Sequence, residues 1–230
     1  MSAGVGGVSG VGGDEDLFAR IEAYGVVPVV EVDDVAAAVP LARALADGGL
    51  PVVEVTFRTP AAREAVAAVA REVPEVLVGA GTLLTTEMVG QAAAAGAAFG
   101  VSPGASTGVL AAAREHGLPF VPGAVTPSEV MTCLDAGLRC VKLFPARAYG
   151  GPATLTALAG PFAATGVRFV PTGGVGADDA GEYLASPHVV AVGGTWVAPR
   201  ADIAAGRWDD IRDRARAAAA LVADVRRTTR

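Results

Sequence analysis

From Val26 onward the chain repeats one pattern eight times: a short apolar run, then an alanine-rich amphipathic segment. The runs are Val26–Val32, Val52–Thr56, Val76–Ala80, Ala98–Val101, Pro119–Val121, Cys140–Phe144, Arg168–Pro171 and Val189–Val192. Strands that are apolar along their whole length, with helices between them, form a parallel sheet covered on both faces. Eight such units in about 200 residues fit a closed (β/α)8 TIM barrel, with an open sheet as the alternative arrangement.

Local signals support the alternation. Thr59-Pro60, Thr85, Ser106 and Thr126-Pro127 read as helix starts, and Gly48, Gly96, Gly117 and Gly137 as helix stops. Pro40 falls inside the first helical segment, Asp34–Ala46, and is expected to kink it. Asp14–Tyr24 adds an N-terminal helix and Asp209–Arg227 a C-terminal one, both outside the repeat. Residues 1–13 read as a flexible glycine-rich tail, which leaves 14–230 as one barrel domain.

The bulk properties exclude some functions. A net charge of −6 with scattered arginines offers no basic stripe for nucleic acid or anionic membrane. The uncharged stretch 88–113 is broken by Gln91, Gly96, Ser102, Pro103 and Ser106, so it reads as helix, strand and loop, not as a membrane span. Two cysteines, Cys133 and Cys140, form no C-x-x-C and read as reduced thiols of a cytoplasmic protein. His116 and His188 lack metal-ligand spacing, and neither a metal nor a cofactor is inferred.

Lys142 is the single lysine among 18 lysine and arginine residues. It stands between Cys140, Val141, Leu143 and Phe144, near the end of the sixth run. Arginine stays protonated, whereas a desolvated lysine can lose its proton near neutral pH and attack a carbonyl. A lysine snorkelling to water from a strand end is the plain alternative. Its uniqueness and setting favour the nucleophile, with Phe144 on the same face walling the pocket.

In a barrel of this kind the active site forms where the strands end. At those ends stand Glu54 with Thr56 on one strand face, then Arg58; Thr82 after Gly79 and Gly81; and Ser102-Pro103-Gly104. Glu54, flanked by valines, suits acid/base work, an ion pair with Arg58, or both. The Ser102–Gly104 turn, taken alone, reads as structural. Thr172-Gly173-Gly174 follows the seventh run, and Gly193-Gly194-Thr195 the eighth. Two glycine loops at those places suit a phosphate bound by backbone N–H groups.

Together these stretches resemble the 2-keto-3-deoxy-6-phosphogluconate (KDPG) and 4-hydroxy-2-oxoglutarate aldolases. The motifs are Glu54-Val55-Thr56-Phe57-Arg58-Thr59-Pro60, Val78-Gly79-Ala80-Gly81-Thr82, Ser102-Pro103-Gly104, Val141-Lys142-Leu143-Phe144-Pro145-Ala146, Gly160-Pro161-Phe162 and Pro171-Thr172-Gly173-Gly174-Val175, and the resemblance runs from about Val26 to Pro199.

The resemblance implies a class I aldolase of the Entner–Doudoroff route, a homotrimer acting on a phosphorylated keto sugar acid. Lys142 would form the Schiff base and Glu54 would be the general acid/base. Arg58 and Thr82 would hold the pyruvyl carboxylate. Phe144, Thr172 and Pro103 would line the specificity pocket, and Gly173, Gly174, Gly194 and Thr195 would bind phosphate. Three positions depart from the family pattern: Thr195 where serine is more frequent, Arg147 where glutamate often follows Phe-Pro-Ala, and Leu143 in place of a frequent phenylalanine. Rival readings are an aldolase for the galactonate epimer, an isomerase or epimerase on the same fold, and a non-catalytic phosphosugar-binding barrel.

Overall fold

The computed structural model describes residues 11–229. Helix α1 (Val11–Tyr24) precedes β1 (Val26–Val30). Strand and helix then alternate: α2 (Ala38–Asp47), β2 (Val52–Thr56), α3 (Ala62–Glu72), β3 (Leu77–Gly81), α4 (Thr86–Ala94), β4 (Phe99–Val101) and α5 (Thr107–Glu115). Next come β5 (Phe120–Val121), β6 (Gly123–Ala124), α6 (Pro127–Asp135), β7 (Cys140–Leu143), α7 (Gly151–Ala159), β8 (Arg168–Pro171) and α8 (Ala180–Leu184). The chain closes with β9 (Val192–Gly194), α9 (Arg200–Ala204) and α10 (Trp208–Thr228).

All strand pairs are parallel, in a six-stranded sheet ordered β5-β4-β3-β2-β1-β9 and a three-stranded sheet ordered β6-β7-β8. The two sheets meet at Pro122. Proline has no N–H to give a ladder, so β5 pairs with β4 on one side of it and β6 with β7 on the other. The Pro122 carbonyl still accepts from the Lys142 N–H at 2.8 Å. On the far side, isolated bridges Phe169–Val189 and Thr172–Gly193 join the two sheets.

Apolar side chains form two layers. One lies between the strands and the helices, with Leu41, Leu45, Val66, Val69, Phe169 and Ile211 buried in it. The other lies among the residues that begin the strands: Val52, Leu77, Phe99 and Cys140, against Leu17 and Ile21 of α1. Helix α1 therefore packs on the N-terminal ends of the strands, opposite the end where the candidate site residues lie. Arg168, at the start of β8, fastens it by binding Glu22 through two nitrogens at 2.5 and 2.8 Å.

Several expectations change in detail. The eighth strand is Val192–Gly194, because Val189 makes only an isolated bridge. The fifth is split at Pro122. Pro40 does not kink a helix: a 3-10 turn (Val35–Ala37) comes first, and Pro40 falls in the first turn of α2, where N–H groups have no helical partner. Thr59-Pro60 does not start α3, since the Thr59 hydroxyl donates to the Val32 carbonyl at 2.5 Å. Thr85 caps α4, and Thr126 forms a capping box with Glu129, with Pro127 in the first turn of α6. Ser106 makes no side-chain cap bond. Helix α9 has no counterpart in the sequence reading. The tail expected over residues 1–13 lies outside the described residues up to residue 10, and α1 already begins at Val11. Among the described residues no helix is long and apolar enough to cross a membrane.

Candidate active site

Parallel pairing carries the polar residues to one end of the sheets. Lys142 lies on β7 opposite Gly123 and Val170, and Glu54 lies on β2 opposite Val29 and Gly79. Both side chains turn inward and meet. Lys142 Nζ is 3.1 Å from Glu54 Oε1 and 3.4 Å from Oε2. The residues are 6% and 4% exposed, so the pair is shielded from bulk water. Coulomb attraction is stronger there than at a surface, and losing either partner would strand a buried charge.

The surroundings fix both groups. Lys142 Nζ stands 5.4 Å from the centroid of the Phe144 ring, within cation–π range. Glu54 lies across Gly81, where a Cβ would collide with its Oε1. The glycine thus makes room for the carboxylate side chain. Beneath the pair is a cavity of about 20 Å³ lined by Phe18, Ile21, Phe99, Val121 and Cys140 besides Glu54 and Lys142. Burial pushes the Cys140 thiol up to about 12.

Thr82 follows β3 with φ +59°, a left-handed conformation that is a steric outlier for a β-branched residue. Such strain costs about 1–3 kcal/mol and concentrates at functional positions. Pro103 sits in the turn after β4. Its carbonyl lies where a Cβ on Gly123 would be, so the turn packs directly on the strand beside Lys142. The Ser102 hydroxyl donates to the Gly104 carbonyl at 2.7 Å, which closes this turn.

The two glycine loops are neighbours. Thr172 is buried against Gly193, in bridge register with it. Gly173 and Gly174 have φ +93° and +83°, and a Cβ on Gly173 would lie 3.1 Å from the Phe144 ring. This joins the loop to the wall of the lysine pocket. Gly194 ends β9 beneath the Trp196 ring. The N–H groups of Gly174 and Thr195 donate to no acceptor among the described residues, so two donors are open to an anion.

Arg58 departs from expectation. It makes no ion pair with Glu54, whose partner is Lys142. Arg58 Nη1 binds Glu31 Oε1 at 3.1 Å, and the guanidinium is half exposed. The other Glu31 oxygen binds Arg200 at 2.8 Å, and Arg200 also grips Asp33 through two nitrogens. Glu31, Asp33 and Arg200 were missed in the sequence. The acidic residues at the end of β1 were readable as strand-end polar groups, but Arg200 is 169 positions from Glu31 and gave no signal.

The same architecture and sequence pattern recur in known proteins. A family model described as KDPG and KHG aldolase matches residues 18–214. The 2-dehydro-3-deoxy-phosphogluconate aldolase of Treponema pallidum is 48% identical over 85% of this chain and 92% of its own length. The KHG/KDPG aldolase of Escherichia coli strain K12 is 46% identical over 84% of this chain and 90% of its own. The crystal structure of Legionella pneumophila KDPG aldolase, with pyruvate captured as a covalent carbinolamine, superposes with TM-score 0.83. It is 38% identical and covers 87% of this chain and 97% of that one. With its one lysine buried against a glutamate at the strand ends and its match to the family model over residues 18–214, this chain belongs to the KDPG and KHG aldolase family.

Proposed function

We propose that the protein is a class I aldolase that cleaves 2-keto-3-deoxy-6-phosphogluconate to pyruvate and glyceraldehyde 3-phosphate, and also takes 4-hydroxy-2-oxoglutarate to pyruvate and glyoxylate. The observation that carries this reading is the buried contact of Lys142 Nζ with Glu54 at 3.1 Å. It puts a nucleophile and its proton acceptor side by side. Residues 14–230 form one (β/α)8 barrel in this reading, with β5 and β6 as two halves of one strand and the isolated bridges completing the ring. The protein works in the cytoplasm as a homotrimer, as the family resemblance implies.

Glu54 takes a proton from the Lys142 ammonium, and the free amine adds to the C2 ketone of the substrate. Glu54 passes that proton to the carbinolamine hydroxyl, which leaves as water; this gives an iminium, an electron sink, and returns Glu54 to its carboxylate form. Arg58 and Thr82 hold the pyruvyl carboxylate, and Phe144, Thr172 and Pro103 shape the space for the aldehyde half. The carboxylate of Glu54, directly or through one water, removes the C4 hydroxyl proton. The C3–C4 bond breaks, its electron pair forms the enamine, and the aldehyde leaves. Glu54 returns the proton to C3, and water hydrolyses the iminium to release pyruvate and Lys142. Gly173, Gly174, Gly194 and Thr195 receive the phosphate. The open N–H groups of Gly174 and Thr195 favour a phosphorylated substrate over an unphosphorylated one.

The experiment is borohydride reduction in the presence of pyruvate, followed by intact-mass spectrometry and peptide mapping. The expected result is one pyruvyl adduct on the only lysine. Absence of the adduct, with phosphosugar binding intact, would replace the aldolase by an isomerase or a binding protein.

A further inference from the structure

The phosphate loop has a neighbour that the scheme above leaves unused. Arg147 lies just beyond β7, four residues past Leu143, and is tied to the loop after β8 in three ways. Its backbone N–H donates to the Gly173 carbonyl at 3.0 Å. Its guanidinium Nη1 donates to the Gly174 carbonyl at 3.2 Å. Its stem lies along Gly174 so closely that a Cβ there would be 2.6 Å from Arg147 Cβ. The cation therefore sits on the residue whose own N–H is open to an anion.

Among the described residues its charge has no carboxylate within ion-pair distance. Two other arginines at this end of the strands are neutralised: Arg58 by Glu31, and Arg200 by Glu31 and Asp33. Arg147 is exposed and, among the described residues, makes no ion pair with a carboxylate. Only one bond, that of Nη1 to Gly174, occupies its fork of donors. A planar guanidinium with open N–H groups matches a phosphate dianion in geometry and charge. In a chain of net charge −6, a cation beside the glycine loop also attracts the anion from a distance.

We propose that Arg147 is a substrate-binding residue, which adds a charged contact for the distal phosphate to the backbone contacts of the glycine loops and sets the preference for phosphorylated substrates. This rests on the aldolase reading. Arg147 would take no part in the carbon chemistry, so its contribution would appear in KM for the phosphorylated substrate.

The test compares Arg147→Gln and Arg147→Lys with the wild type on 2-keto-3-deoxy-6-phosphogluconate and on 4-hydroxy-2-oxoglutarate, which carries no phosphate. For Arg147→Gln, the ratio of kcat/KM between the two substrates should fall about tenfold, the size of one charged hydrogen bond at a partly wet site. The fall should lie in KM, and Arg147→Lys should recover part of it. An unchanged ratio, or a fall that lies wholly in kcat, overturns the proposal. Borohydride trapping of pyruvate separates the two levels. Wild-type adduct with an unchanged ratio removes only the role of Arg147. No wild-type adduct removes the aldolase reading and this inference with it.

Discussion

Lys142 and Glu54 are 88 residues apart in the chain, yet their side chains meet at 3.1 Å inside the protein. Each is the other's only charged partner among the described residues. Removing one leaves a buried, uncompensated charge, which costs about 3–5 kcal/mol. Lys142→Met should therefore lower stability by that order and abolish turnover. Adding Glu54→Gln to it should restore stability but not activity. Denaturant unfolding of the two single variants and the double variant measures the coupling; additive losses would contradict it.

Gly81→Ala tests how tightly Glu54 is placed. A methyl there would strike Glu54 Oε1, and the carboxylate would swing from Lys142. Misplacement of about 1 Å can cost about a hundredfold in rate. The expected result is a loss of that order in kcat with the catalytic residues all present. Wild-type kcat in a folded Gly81→Ala protein would count against the assigned position of Glu54.

Thr82 holds φ +59°, where glycine is at ease and threonine is not. Thr82→Gly should relieve that strain and raise stability by about 1 kcal/mol, or about 2–4 °C in Tm for a chain of this size. It also deletes a hydroxyl assigned to the substrate carboxylate, so KM should rise. Thermal melts and steady-state kinetics on the same preparation read both effects.

The anchor of α1 should be acid-sensitive. The hydrogen bond from Arg168, opposed in part by burial, holds the Glu22 carboxyl below its ordinary value of 4.5. A carboxyl with a depressed folded pKa contributes stability that is present above the unfolded value and lost as pH falls through the folded one. Both side chains are about one-third exposed or more, so the effect is small. Acid titration of stability from pH 6 downward, wild type against Glu22→Gln, should show a shallower decline in the variant below about 4.5.

The thiols should be inert in the native protein. Burial pushes Cys133 up to about 11 and Cys140 up to about 12. Since the thiolate is the reactive form, an aromatic disulfide reagent at pH 8 should label neither until the protein is unfolded, and then both. Rapid labelling of the folded protein would show that the protein interior opens.

Much of this molecule was legible before any coordinates. The alternation of apolar runs and alanine-rich helices gave the parallel α/β order, because a strand buried on both faces has to be apolar throughout. The uniqueness of Lys142, Glu54 among valines and the two glycine loops marked the candidate site residues, because charge in an apolar run and paired glycines at strand ends are chemically conspicuous. The details that differ have two causes, a partner far away in the chain and a shift in where a helix begins. Thr59 looked like a helix cap, but its hydroxyl found the Val32 carbonyl instead. Pro40 looked like a kink, but the 3-10 turn ahead of it moved it into a first turn that tolerates proline.

What the sequence determined, then, is the order of elements and the choice of candidate reactive groups, since both depend on residue type and near-neighbour spacing. The tertiary structure alone decided the pairings. Glu54 could have served Arg58, four residues away, and instead faces Lys142, while Arg58 is held by Glu31. Parallel register and the inward or outward turn of each side chain choose between such partners, and they are set by how strands far apart in the chain come to lie side by side. For the same reason Arg147 was visible only as an unusual residue after Phe-Pro-Ala until the chain brought it onto Gly174.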